Sequence, residues 1–294
     1  MAGMLEPFVA FGTDIVGLER LLRLLQAILL VLTSYPSLLS NILTFLLLLP
    51  PFYSSSPPSS PPVIDVVSTA TSLLQLQTQL NLARRTIRLF WFLGSFQSSW
   101  ALLGSRAKGI DSWLGVLAHS AHGMFGLVES ATLLDLVDGG VTLFGPVEAV
   151  RLDEEAQMLW LVALYASALG SGAKILGMLA YRPVPPTGDG FGAALDDCQD
   201  AAAEGEAKEG KEDKAEAEER ARKHKEQQRR VWADEFNAKA GALGSKLLAD
   251  LLDMVIPASR LGWLKVDGGL VGIAMVCSTV LSGKTVWDRC RQTT

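Results

Sequence analysis

Between Asp153 and Lys174 the chain reads DEEAQMLWLVALYASALGSGAK, and Ala156 to Ala173 carries no charge across 18 residues. A helix that crosses a bilayer needs roughly 20 mostly apolar residues, so this stretch is the best mid-chain span. The three acids ahead of it suit the positive end of a helix dipole, and the spacing predicts a helix starting there. At the far end, Lys174 is placed to extend its amine towards headgroups. Ala166 and Gly170 stand four apart, a spacing that lets a neighbouring helix come close in lipid. Pro183, Pro185 and Pro186 stop the run. The expected class is therefore all-α: an integral membrane helical protein with amphipathic helices and a C-terminal membrane segment. Composition agrees. Of 294 residues 49% are apolar but only 7% aromatic, so Leu, Ala and Val supply most of the apolar surface, as suits helices better than sheets. The net charge of −5, without a basic domain, argues against a nucleic-acid partner.

On the N-terminal side of this stretch the pattern becomes amphipathic. Phe11, Ile15, Leu18, Leu22, Leu25 and Leu29 step by four and three along one face of a helix expected from about Thr13. Glu19 precedes Arg23 by four, the favourable order for a local ion pair. From Leu24 to Ile64 no residue is charged, and Pro36 divides the run into two apolar helices. The second is short for a span and reads as buried or half-inserted. After the stiff connector Ser54–Pro62 (SSSPPSSPP), Leu73, Leu76, Leu80, Ala83, Ile87 and Phe90 line a second amphipathic helix. Gln77, Asn81, Arg84, Arg85 and Arg88 gather on its other side, and Trp91 is expected to end it as an interfacial aromatic. Residues 109–147 read as two helices joined near Gly139-Gly140.

On the C-terminal side, Asp189 to Arg230 holds 13 acidic and 9 basic residues with almost no bulky apolar ones, the composition of a solvated linker. Val231 to Val255 reads as an amphipathic helix ended by Pro257. Gly268 to Gly283 is then an uncharged run of 16 residues, short for a span without bilayer thinning or snorkelling. The expected divisions are 1–53 (amphipathic and apolar helices), 54–62 (linker), 63–182 (membrane-associated helices with the span), 183–230 (charged, disordered) and 231–294 (amphipathic helix and membrane segment).

Catalytic patterns fail on inspection. Ser282-Gly283-Lys284-Thr285 resembles the end of a phosphate-binding loop, but Ser278 stands where the pattern needs glycine, and an apolar helix replaces the required strand. His119 and His122 are three apart but lack further ligands for a metal. Cys198, Cys277 and Cys290 have no metal or disulfide spacing. No enzyme activity, cofactor or metal is expected, and the isolated acids of 109–147 read as helix ends or polar contacts between helices. Membrane binding is expected instead, through Arg20, Arg23, Arg84, Arg85, Arg88 and Trp91, with apolar faces in the acyl boundary and arginines on anionic headgroups. The alternative for the arginines is the outer face of a bundle helix. Gly268 and Gly272 form a GxxxG pair, which serves either a homo-oligomer or packing inside one chain.

Three stretches resemble the peroxin-11 family of peroxisomal membrane proteins. They are Gly17-Leu18-Glu19-Arg20-Leu21-Leu22-Arg23-Leu24-Leu25-Gln26, then Ala83-Arg84-Arg85-Thr86-Ile87-Arg88-Leu89, then Lys246 to Ser282 with Asp250, Asp253 and Ile256-Pro257. Ala27 departs from the aromatic usual after the first motif, and the 189–230 insertion is long. The resemblance implies elongation, fission and control of size and number of peroxisomes, with cytosolic termini. It also implies self-association, a membrane-protein import receptor and fission machinery as partners. The C-terminal Arg291-Gln292-Thr293-Thr294 is not the S-K-L matrix address, so arrival as a membrane protein is expected. A channel for small metabolites is the alternative function, and a scaffold acting through the charged linker the third.

Overall fold

The computed structural model of the chain describes residues 2–48, 66–105, 109–136, 142–180 and 210–293, and among them all regular structure is helical. The helices are α1 (Ala2–Thr13), α2 (Ile15–Ser34), α3 (Pro36–Leu48), α4 (Val66–Ile87), α5 (Trp91–Gly104), α6 (Ile110–Leu136), α7 (Pro146–Ala180), α8 (Gly210–Arg260) and α9 (Gly268–Thr293). Two of them, α7 and α9, are long and apolar enough to cross a membrane, each with a mean hydropathy of 1.5. Only 33% and 39% of their apolar stretches are buried, so most of that surface is left uncovered.

The breaks between helices have local causes. Pro36 opens α3 at the first helical position, where its missing N–H costs nothing, and pushes Tyr35 out of the helical region. Between α4 and α5 the chain turns at 88–90. Ser130 of α6 donates to the Leu89 carbonyl at 2.7 Å, which satisfies an acceptor exposed by the break. Trp91 thus starts a helix rather than ending one. Within 109–147 the described residues hold α6 and the first two residues of α7, and Gly139-Gly140 lie outside the described residues. Asp135 does mark its end, accepting from the backbone N–H groups of Leu143, Phe144 and Gly145 at 2.7 to 3.2 Å.

α7 starts at Pro146, earlier than the acids at 153–155 predict, because proline at the first position is the stronger start signal. At the other end, α8 runs one turn past Pro257. It stops where Gly262, with φ of 73°, takes the left-handed conformation. Trp263 N–H reaches back to Ala258 O at 3.0 Å and Gly262 N–H to Ser259 O at 3.2 Å, the paired bonds of a glycine-terminated helix.

Two compact units result, Met1–Ala173 with Ser245–Thr294, and Lys174–Gly244. In the second unit, residues 181–209 of the expected linker lie outside the described residues. From Gly210 the same segment is helical, as its Ala, Glu, Lys and Arg content favours. Exposed i,i+4 pairs Arg230–Glu226 (2.8 Å) and Lys239–Glu235 (3.5 Å) add a few tenths of a kcal/mol each. The first unit holds the rest. There α2 packs against α1, α3, α4 and α9, α6 packs against α4 and α5, and α1 also meets α9. Gly170 of α7 lies against α6, where an added Cβ would stand 3.5 Å from Leu114. The close approach implied by the Ala166/Gly170 spacing is therefore made within the chain.

Candidate functional site

The first unit is built with its charges inside and much of its apolar surface outside. On α2 the buried residues include Glu19, Arg23 and Gln26, whereas Ile15 is 61% exposed and Leu18, Leu25 and Ile28 are exposed with it. On α4, Arg84 and Arg85 are buried while Leu74 and Leu76 face outward. Along α7 the small residues Ala156, Ala163, Ala166 and Gly170 point in, and Met158, Val162, Tyr165 and Leu169 point out. Such an arrangement is costly in water, where large exposed apolar patches drive association. It is the expected one in lipid, where polar groups face the bundle interior.

The charged interior centres on α4. Arg84 donates to Glu19 of α2 through Nη2 at 2.7 Å and Nε at 3.2 Å, and to Gln26 through Nη1. One position on, Arg85 reaches Asp153 of α7 at 2.8 Å. One turn on, Arg88 reaches Glu129 of α6 at 2.8 Å. From α2, Arg23 pairs with Asp253 of α8, and Arg260 stands 3.6 Å from Asp153. A further polar contact joins Ser167 of α7 to Asp250 of α8 at 2.7 Å. Five helices of the unit are thus tied by buried or half-buried charges.

These partners differ from the sequence reading. Glu19 pairs with Arg84, 65 positions away, and stands 3.7 Å from Arg20; the expected local partner, Arg23, turns to Asp253 instead. An i,i+4 pair is worth only a few tenths of a kcal/mol, so buried long-range geometry overrides it. The basic side of α4 is turned inward onto carboxylates, not outward as a headgroup-facing or solvent-facing side would be. Arg20 and Arg88 are half-buried, and so is Trp91 at the start of α5. Gly268 and Gly272 face α2, where Ser34, Val31 and Ala27 come within 3.4 Å of an added Cβ. Their close approach is answered inside the chain. Sequence reading missed Asp153 and Asp253 as ion-pair partners, although each is a charge beside a long apolar run.

Burial acts against both members of the central pair. It pushes the Arg84 guanidinium down to about 10, still charged at neutral pH. Burial would also raise Glu19, but Arg84, Arg20 and Arg88 together hold that carboxyl below its usual 4.5. Because the folded-state value is the lower one, the stabilisation is complete above pH 4.5 and is lost as pH falls through the folded value. Acidification below that point is expected to lower the unfolding temperature of the detergent-solubilised chain. Glu19→Gln should flatten this acid limb, and an unchanged limb would remove Glu19 from the account.

Ser282-Gly283-Lys284-Thr285 lies within helix α9, without a loop to cradle a phosphate. No group of three or more His, Cys, Asp and Glu residues able to hold a metal occurs among the described residues.

Compared with known proteins, the chain has no match among curated proteins and none among solved structures. The family model described as Peroxisomal biogenesis factor 11 (PEX11) matches residues 65–287, well over half of the chain and all of the region from α4 to most of α9. This charge-cored bundle with two apolar, largely uncovered helices belongs to the peroxisomal biogenesis factor 11 family.

Proposed function

We propose that the chain remodels the peroxisomal membrane by inserting its amphipathic helices, promoting elongation, fission and control of peroxisome size and number. Family membership implies the coarser role, in peroxisome proliferation and division at the peroxisomal membrane. The observation that carries the finer reading is the outward apolar face of α2, Ile15, Leu18, Leu25 and Ile28, beside an inward face of Glu19, Arg23 and Gln26. A helix with this sidedness buries its apolar face at the acyl boundary, and added volume in one leaflet favours curvature. Headgroup contacts by Arg20, Arg23, Arg84, Arg85 and Arg88 would require the charged interior to open. The apolar faces, with Trp91 among them, therefore lead the insertion. Cytosolic termini, self-association and recruitment of an import receptor and fission machinery complete this reading. Self-association through Gly268 and Gly272 would compete with α2 for one face.

The test is a tagged copy expressed to excess in cells carrying a peroxisome marker, with carbonate extraction of the same cells. Carbonate-resistant protein on elongated or more numerous peroxisomes is expected. The triple variant Ile15→Lys, Leu18→Lys, Leu25→Lys leaves α7, α9 and the ion pairs untouched. It should stay carbonate-resistant yet lose the elongation. Elongation as strong as the parent's would rule out insertion of α2, and protein on another organelle with normal peroxisomes would end the reading altogether.

A further inference from the structure

Inside the first unit lies a cavity of about 370 Å³ whose two walls differ in chemistry. One wall is cationic, formed by Arg23, Arg84, Arg85, Arg88 and Arg260, with Glu129 as its one carboxylate among the described residues. The other is apolar, formed by Phe125, Trp160, Val271 and Met275. This volume falls within the range of about 300–1,000 Å³ typical of small-molecule sites.

The cationic wall is not satisfied by the protein. Arg85 is 7% exposed, and neither its Nε nor its Nη1 has a hydrogen-bond partner in the chain. Nε of Arg23 and Nε of Arg88 are likewise buried and unpartnered, while Glu129 Oε1 stands 3.6 Å from Arg85 Nε and the Gln77 and Gln157 Oε1 atoms of the same lining are acceptors without a donor. Buried donors left without acceptors cost about 1–3 kcal/mol each, more when charged, so they mark where an acceptor belongs. Charge points the same way. The five arginines are paired with Glu19, Glu129, Asp153 and Asp253, which leaves one positive charge over.

We propose that this cavity binds a phosphate group, as free phosphate, a small phosphate monoester or the headgroup of a phosphomonoester lipid. A carboxylate brings one charge and two oxygens. A phosphate monoester brings about −1.5 to −2 charges and three acceptor oxygens, and the three oxygens match the spread of donors over three arginines. The apolar wall accommodates the organic part of an ester. Phe125 and Trp160 stack on each other there, with centroids 5.5 Å apart. This site stands independently of membrane remodelling.

The test uses the full-length chain in a neutral maltoside detergent and in nanodiscs. Melting temperature and calorimetric binding are measured with inorganic phosphate and with glycerol 3-phosphate, against chloride at equal ionic strength. Nanodiscs of phosphatidylcholine alone are compared with nanodiscs doped with phosphatidic acid. Saturable stabilisation by the soluble phosphates identifies a water-borne ligand, and stabilisation by phosphatidic acid alone identifies a headgroup; both support the site. Arg85→Gln should weaken binding about tenfold, the loss of one charge-assisted hydrogen bond. Since that variant also disturbs the Asp153 pair, Val271→Trp serves as the second probe. It fills the cavity from the apolar wall, leaves every ion pair in place and should abolish binding. Arg151→Gln, on the exposed side of α7, should bind as the parent does. No stabilisation in either arm, or equal binding by Val271→Trp, overturns the proposal and leaves water as the occupant.

Discussion

Glu19→Ala is expected to destabilise the folded chain by about 3–5 kcal/mol, the usual cost of removing one partner of a buried ion pair. The carboxylate is only 2% exposed and accepts two hydrogen bonds from Arg84. Without it, Arg84 keeps Gln26 as its one acceptor among the described residues, beside the like charges of Arg88 and Arg23. Guanidinium does not escape by losing its proton, because arginine stays protonated even in protein interiors. Most of the penalty is thus the unpaired charge, not the lost bond, and this sets a sharper test. Glu19→Leu combined with Arg84→Leu should recover much of what either single change loses, because an apolar pair of similar volume replaces buried ions at little cost. By contrast, Arg151→Ala, breaking the exposed contacts to Glu148 and Glu155, should change stability by less than about 0.5 kcal/mol. Denaturant unfolding in detergent compares the parent with Glu19→Ala, Glu19→Leu, Arg84→Leu, the double variant and Arg151→Ala. Additive single and double effects would mean that Glu19 and Arg84 do not act as a pair.

The same residues show what can be read from the chain and what cannot. Helical periodicity marks Arg84, Arg85 and Arg88 as one side of a helix and Leu73, Leu76 and Leu80 as another; α4 holds all of these but Arg88, which stands in the turn just after it. Periodicity is silent on which side faces in, because turning a helix about its axis leaves the pattern intact. That choice belongs to the solvent. In water the arginines would point out; in lipid they pair with each other's counter-ions, and here they meet Glu19, Asp153 and Glu129 from three other helices. Partners 41 to 68 positions away cannot be matched by spacing. The division at Pro36 and the apolar run inside α7 were legible since each rests on residues close together in the chain. The turn at 88–90 was not, because its exposed carbonyl is satisfied by Ser130, 41 positions on. The cavity was the least legible feature. Its walls come from α2, α4, α6, α7, α8 and α9, and its character depends on donors the fold leaves unmatched.

Gly272→Leu separates the two roles open to the GxxxG pair, and the expected loss is of folded protein, not of dimer. An added Cβ at this position would stand 2.8 Å from Val31 Cγ2, 3.2 Å from Val31 N and 3.3 Å from Ala27 O. The first contact ends in a side chain that can rotate. The other two are backbone atoms of α2, so α2 and α9 must separate. Overfilling a packed site ordinarily costs about 1–3 kcal/mol, and parting two backbones lies at or above the upper end. The damage would spread, since α2 also carries Glu19 and Arg23, which pair with α4 and α8. Gly268→Ala is the graded control: its new methyl meets only Ser34 Oγ, at 3.2 Å, which a rotamer change relieves. Melting temperature and cross-linking in membranes are read together. A large drop in melting temperature for Gly272→Leu and a small one for Gly268→Ala, with cross-linking of the surviving folded fraction unchanged, assigns the glycines to the α2–α9 contact. Unchanged melting with loss of the cross-linked band would place a second copy of the chain on that face, and α2 would then have to leave it on assembly.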